Sequence, residues 1–121
     1  MKRRTPKAGS LDRFGTHRLI CERLPKIRAE SGFATAALLF HLWDRAVVKL
    51  DGRTRGDVSV SALARAIGST RKTVAASLKY LLRADWITEA PPAEGKPPSR
   101  KKTYLVYHVR YGETDPGSPN E

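Results

Sequence analysis

A disulfide framework is excluded at once, because Cys21 is the sole cysteine in 121 residues. The fold must be held by its core, which suits a reducing compartment. Long apolar runs are also missing. Nothing approaches the roughly eighteen consecutive apolar residues that a membrane span needs, and the basic opening MKRRTPKAGS is not followed by the apolar stretch of a secretory signal. The expectation is a cytoplasmic protein with no membrane partner. Aromatics are sparse at 7%, and no aromatic-rich ribonucleoprotein motif is present, which disfavours RNA recognition by base stacking.

Catalytic signatures are absent too. His17, His41, His108 and Cys21 show neither CxxC nor HxxxH spacing, so no metal site is expected. No Ser/His/Asp arrangement, phosphate-cradling glycine loop or carboxylate pair stands out. The tripeptide Arg55-Gly56-Asp57 is attributed to chance. The chain reads as a binding protein and not an enzyme, with no cofactor and no small-molecule ligand.

The most telling shortage is of acids: 12 Asp and Glu stand against 23 Lys and Arg, for a net charge of +11. Such an excess implies an anionic partner, most often nucleic acid. The imbalance is also clustered. Residues 1–28 carry nine basic residues against two acids, 61–84 carry five against none, and 96–102 carry four against none, while the last ten residues turn acidic.

Residues 1–10 combine Lys, Arg, Pro, Gly and Ser and read as a flexible basic arm. In 11–31 the apolar residues Leu19, Ile20, Leu24 and Ile27 suit a short helix, which Pro25 is expected to break or end. From Phe33 the Ala- and Leu-rich run to Leu50 predicts one helix. On it Leu38, Leu39, Leu42, Trp43, Ala46, Val47 and Leu50 share a broad arc, with His41, Asp44 and Arg45 across. LDGRTRGD reads as a loop around an Asp-Gly turn.

DVSV has the character of a very short strand, and Ser59 is placed to N-cap the helix VSALARAI. Gly68 stands where a helix needs a left-handed terminator, and Thr70 can cap a second helix. There Val74, Leu78 and Leu81 point inward, with Lys72, Thr73, Ala76, Lys79 and Tyr80 opposite. Trp86 to Glu89 suits a strand. The four prolines of APPAEGKPPSRKK require a loop, and Thr103 to Val109 reads as the returning strand of a hairpin. The tail 111–121 is expected to be disordered.

The stretch VSVSALARAIGSTRKTVAASLKYLLRADWI, followed by a basic hairpin, resembles the winged helix-turn-helix domains of bacterial, plasmid and phage regulators and replication proteins. The resemblance covers about residues 33–109. It rests on Ala64, the turn residue Gly68, the cap Thr70, the apolar Val74 and Leu78, and the exit LLRADWI. It implies a fold that is mainly α with a small antiparallel β hairpin, in a single domain at 11–110. The helix-turn-helix falls at about 59–84 and the wing at about 86–109. In that family the second helix enters the major groove and the wing meets the backbone or the adjacent minor groove.

Carried over by position, the recognition-helix residues are Ser69, Thr70, Arg71, Lys72, Thr73, Ala76 and Lys79. The wing residues are Lys96, Arg100, Lys101 and Lys102, and the arm residues Lys2, Arg3, Arg4 and Lys7 add a weaker contact. Ala75 and Ala76 depart from relatives that carry longer side chains there, which shifts weight toward the wing and shape readout. The function implied is sequence-specific binding of double-stranded DNA by a small transcriptional regulator, located at the nucleoid when bound. Alternatives are a plasmid or phage replication or partition factor, and a winged-helix module that serves protein contacts. A homodimer is expected, with residues 11–31 as the dimer surface.

Overall fold

Asp12 starts the first helix, its carboxylate accepting from the Gly15 amide at 2.9 Å, as N-cap residues do. The computed structural model of the protein describes residues 9–56, 58–91, 95 and 101–111. In chain order these form β1 (Leu11–Asp12), α1 (Arg13–Ser31), α2 (Phe33–Arg45), β2 (Ala46–Val47), a 3₁₀ turn (Val48–Leu50) and β3 (Arg53–Thr54). They continue as α3 (Val60–Ile67), α4 (Arg71–Arg83), β4 (Ile87–Glu89), β5 (Tyr104–Val106) and β6 (Val109–Arg110). The architecture is mainly helical with small antiparallel sheets, and no helix among the described residues is long and apolar enough to cross a membrane.

One core joins the helices to the strands. Leu19, Ile20 and Ile27 of α1 meet Leu38, Leu39 and Leu42 of α2, Leu63 and Ala64 of α3, and Val74, Leu78 and Leu81 of α4. Trp86, Ile87, Tyr104, Val106 and Val109 close it from the strand side. Each large apolar side chain fully buried contributes about 1.5–3 kcal/mol. The inward face expected for α4 is the buried one, with the addition of Ser77, whose hydroxyl accepts from Thr35 at 2.8 Å.

Four expectations about the elements need correcting. Pro25 does not end α1, which continues to Ser31. Pro25 and Cys21, whose carbonyl loses its amide partner, are both exposed, so water can serve that carbonyl. Burial of Ile27 in the next turn offsets the proline penalty of about 3 kcal/mol.

The helix expected to reach Leu50 stops at Arg45. Val47 prefers extended backbone, and β2 pairs with β3 through Ala46↔Thr54 and Val47↔Arg53. The supposed loop thus contains a strand. It turns at Asp51 and Gly52, with φ of 58° and 77°, and Leu50 is 60% exposed instead of lying on the apolar arc.

The returning strand splits. β5 pairs with β4 through Ile87↔Val106, Thr88↔Leu105 and Glu89↔Tyr104, giving the four-stranded order β2-β3-β5-β4. Tyr107 then donates to the Trp86 carbonyl at 2.8 Å, and the Val109 amide donates to the Thr16 hydroxyl at 3.0 Å. These bonds carry the chain to a separate pairing of β6 with β1. Finally, Gly9 and Ser10, read as part of the arm, bond the backbone of Tyr111 at 3.0 and 2.9 Å.

Candidate nucleic-acid interface

Three caps fix the limits of α3 and the start of α4. Ser59 accepts from the Ala62 amide at 3.1 Å, so α3 begins where its sequence signals it. Gly68 ends α3 in the left-handed region at φ 67°, ψ 39°, a conformation that penalises any residue with a Cβ. Thr70 then accepts from the Thr73 amide at 3.2 Å and starts α4. The result is helix, Gly68-Ser69-Thr70 turn, helix, with Leu63 and Ala64 packed toward Val74 and Leu78.

At 3.6 residues per turn, Arg71, Lys72, Ala75, Ala76, Lys79, Leu82 and Arg83 fall within an arc of about 140° on α4. All are exposed. Among the described residues no acid lies within ion-pairing distance of Arg71, Lys72, Lys79 or Arg83. Ala75 and Ala76 sit between these cations, so the backbone of α4 can approach a partner closely while longer side chains reach past it. Arg83 was missing from the sequence-derived set, although its spacing of four residues from Lys79 was a sufficient signal.

The remaining residues of the turn are more constrained. Ser69 is half-buried, and its amide donates to the Ala64 carbonyl at 2.8 Å. Thr70 donates its hydroxyl proton to the Thr73 hydroxyl at 2.9 Å, leaving the proton of Thr73 free to donate outward. Tyr80, expected on the open side, is half-buried, and its hydroxyl donates to Glu30 of α1 at 3.0 Å. Burial first, and then the Glu30 carboxylate, raise the Tyr80 pKa.

Lys101 and Lys102 stand where the β4–β5 connection enters β5, just beyond the pair Glu89↔Tyr104. Lys101 is exposed. Lys102 is half-buried, bridges Val58 at the start of α3 through its backbone, and pairs with Glu89 at 3.0 Å. Part of its charge is therefore neutralised within the hairpin. The Tyr104 amide donates to the Thr54 hydroxyl at 3.0 Å and ties the hairpin to β3. Lys96 and Arg100, like the arm residues Lys2, Arg3, Arg4 and Lys7, lie outside the described residues.

His17 and Cys21 approach within 3.9 Å along α1, but among the described residues no third ligand joins them in a metal-binding group. His108 is buried where β5 gives way to β6, with Nδ1 at 3.0 Å from the Val106 carbonyl. Comparison with family models, curated proteins and solved structures finds no match.

Proposed function

We propose that this chain is a sequence-specific double-stranded DNA-binding protein, a small transcriptional regulator of winged helix-turn-helix type. The observation that carries the reading is the exposed arc of α4, where Arg71, Lys72, Lys79 and Arg83 have no acidic partner among the described residues. In this reading α4 enters a major groove about 12 Å wide. Arg71 and Lys72 donate to base edges or phosphates from its first turn, and the helix amide end favours the anionic backbone. The hairpin lysines Lys101 and Lys102 meet the neighbouring backbone, joined by Lys96 and Arg100.

The charge distribution makes the binding electrostatic and therefore salt-dependent. If about six basic groups reach phosphate, log affinity falls with log salt at a slope near −5. A single module of this kind covers only about 600–1,000 Å² of its surface on DNA. Two copies on a palindromic or directly repeated site are therefore part of the proposal. The exposed face of α1, with Phe14 84% exposed, is the surface assigned to the dimer.

The test is selection and sequencing of host or mobile-element DNA fragments retained at near-physiological salt, with the Arg71→Ala/Lys72→Ala protein in parallel. The expected result is a recurrent motif that the double variant loses. Retention without a motif, equal in both proteins, would overturn sequence-specific readout and favour a protein-interaction module. Motif copies beside a replication origin instead of a promoter would assign the protein to replication or partition.

A further inference from the structure

None of the chain's three phenylalanines belongs to the buried core. Phe14 and Phe33 are 84% and 71% exposed, and Phe40 is half-buried. Phenylalanine is ordinarily among the most buried residues, and these three share one surface. At 3.6 residues per turn, Phe14, Cys21, Pro25 and Arg28 span an arc of about 60° on α1, and Phe33, Ala37, Phe40 and Asp44 span another of about 60° on α2. Ring contacts join the two helices. His17 of α1 sits 5.7 Å from Phe40 and 5.3 Å from Trp43 of α2, and the guanidinium carbon of Arg28 lies 5.2 Å from the Phe33 centroid. Aromatic surface gathered in this way marks protein–protein contacts.

This two-helix face points away from α4. On α1, Glu30, which accepts from Tyr80 of α4 at 3.0 Å, lies about 170° around the helix from the middle of the outer arc. On α2, Thr35, which donates to Ser77 of α4 at 2.8 Å, also lies about 170° from its arc. Ser77 in turn lies about 170° from the middle of the exposed cationic arc of α4. The aromatic face and the cationic face are therefore on opposite sides of the molecule, with the core between them.

The charges on the aromatic face fit a second copy of the same chain. Arg28 stands at the α1–α2 corner, with no acid within ion-pairing distance among the described residues. Asp44 stands at the other end, about 16 Å along α2 from Phe33. Its side chain is 79% exposed and only loosely held by Arg13, at 3.8 Å. A two-fold axis that lays the helices of one copy antiparallel on those of the other brings the Arg28 end against the Asp44 end, twice. A parallel arrangement would oppose like charges.

Such a dimer presents its two α4 helices outward, in opposite directions. They cannot enter neighbouring grooves on one side of a straight duplex. Four helical layers at spacings of about 10 Å would lie between two bound duplexes, several times the Debye length of about 8 Å at physiological salt, so the repulsion between the duplexes is screened.

We propose that the outer face of α1 and α2 binds the same face of a second copy, antiparallel, and that the dimer bridges two separate duplex segments, one on each α4. The inference rests on the DNA-binding reading of α4 and on the dimer assigned to α1. It adds α2 to that surface and places the repeated sites apart, on two molecules or on one molecule looped between them, instead of side by side.

The experiment is a bridging assay. One short mixed-sequence duplex is immobilised and a second carries a fluorophore, both at low salt, where phosphate contacts bind DNA of any sequence. The wild-type chain should retain the labelled duplex on the immobilised one. Phe14→Glu and Phe33→Glu should lose that retention while binding a single labelled duplex, followed by anisotropy, with wild-type affinity, which also reports an intact fold. Arg28→Asp should weaken retention, and Arg28→Asp/Asp44→Arg should recover it, because the exchange in both copies again opposes unlike charges.

Equal retention by wild type and Phe33→Glu would mean that charge alone gathers the duplexes, and overturns the inference. So would single-duplex binding by wild type without retention of a second duplex, an outcome that leaves DNA binding by α4 intact. A double variant no better than Arg28→Asp would overturn the antiparallel pairing of the copies. Absence of single-duplex binding by the wild-type chain would discard both the bridge and the DNA-binding reading.

Discussion

Gly52 and Gly68 both adopt positive φ, at 77° and 67°, yet their surroundings differ. A Cβ on Gly68 meets nothing within 4 Å, whereas on Gly52 it would lie 2.6 Å from the Val106 carbonyl and 2.9 Å from the His108 ring. Gly68→Ala should cost only the left-handed penalty of about 1–2 kcal/mol. Gly52→Ala should cost about 3–4 kcal/mol, because steric conflict adds to the same penalty. Urea denaturation of the two variants measures the contrast, and equal costs would show that the β2–β3 turn relaxes freely.

His108 carries the pH dependence at this scale. Burial is the main cause lowering its pKa, opposed by the Val106 carbonyl and reinforced by Arg13 and Arg110. His41 is lowered as well, by burial first and then by Arg45. A histidine held neutral in the fold takes up a proton more readily when unfolded. Its contribution to stability is therefore intact above about pH 6.5 and declines as pH falls below it, by up to about 1.4 kcal/mol per pH unit for the buried His108, with the more exposed His41 adding less because solvent screens it. The expected outcome is a urea midpoint that drops between about pH 7 and pH 5, with His108→Gln showing a shallower drop. A midpoint constant over that range would contradict the burial of a neutral imidazole.

At the scale of elements, α1 is the one that local rules misjudge. Pro25 is exposed inside a helix that continues past it, so Pro25→Ala should restore a helical hydrogen bond to Cys21 without disturbing the core. The gain should be about 1–2 kcal/mol, from a proline penalty of about 3 kcal/mol less the stiffness that proline gives the unfolded chain. Thermal denaturation checks this, and destabilisation would mean that the proline shapes the α1–α2 packing. By contrast, α3 and α4 were legible almost to the residue. Their limits are set by Ser59, Gly68 and Thr70, whose side chains and backbone act within three or four positions of themselves. The β4–β5 hairpin was legible for a related reason, since prolines 91, 92, 97 and 98 exclude a ladder between two β-prone runs.

For the whole molecule, the net charge of +11 disfavours self-association at long range, so the proposed dimer needs a short-range apolar contact or DNA to align it. Phe14 on α1 is the natural contact. Phe14→Glu should leave the stability of the fold within about 0.5 kcal/mol of wild type, as expected of an exposed side chain, and should abolish any dimer seen by sedimentation. A variant that dimerises like wild type would move the interface to another face. The same excess charge makes solubility and DNA affinity respond together to salt.

The amino-acid sequence alone determined the features that act locally. These are the caps of α3 and α4, the inward positions Val74, Leu78 and Leu81, the proline-bounded hairpin and the clustering of positive charge. Tertiary structure decided what depends on partners far along the chain. Continuation of α1 through Pro25 needed the core around Ile27, and the end of α2 at Arg45 needed β3 to pair with β2. The division of the last strand needed Trp86, Thr16 and β1, which lie about 20 to 100 residues away in sequence. Loop-closure entropy must be overcome before such contacts stabilise anything, so no short window records them. The arc of α4 belongs to both, since helical spacing aligns its cations and only packing leaves them exposed and without an acidic partner among the described residues.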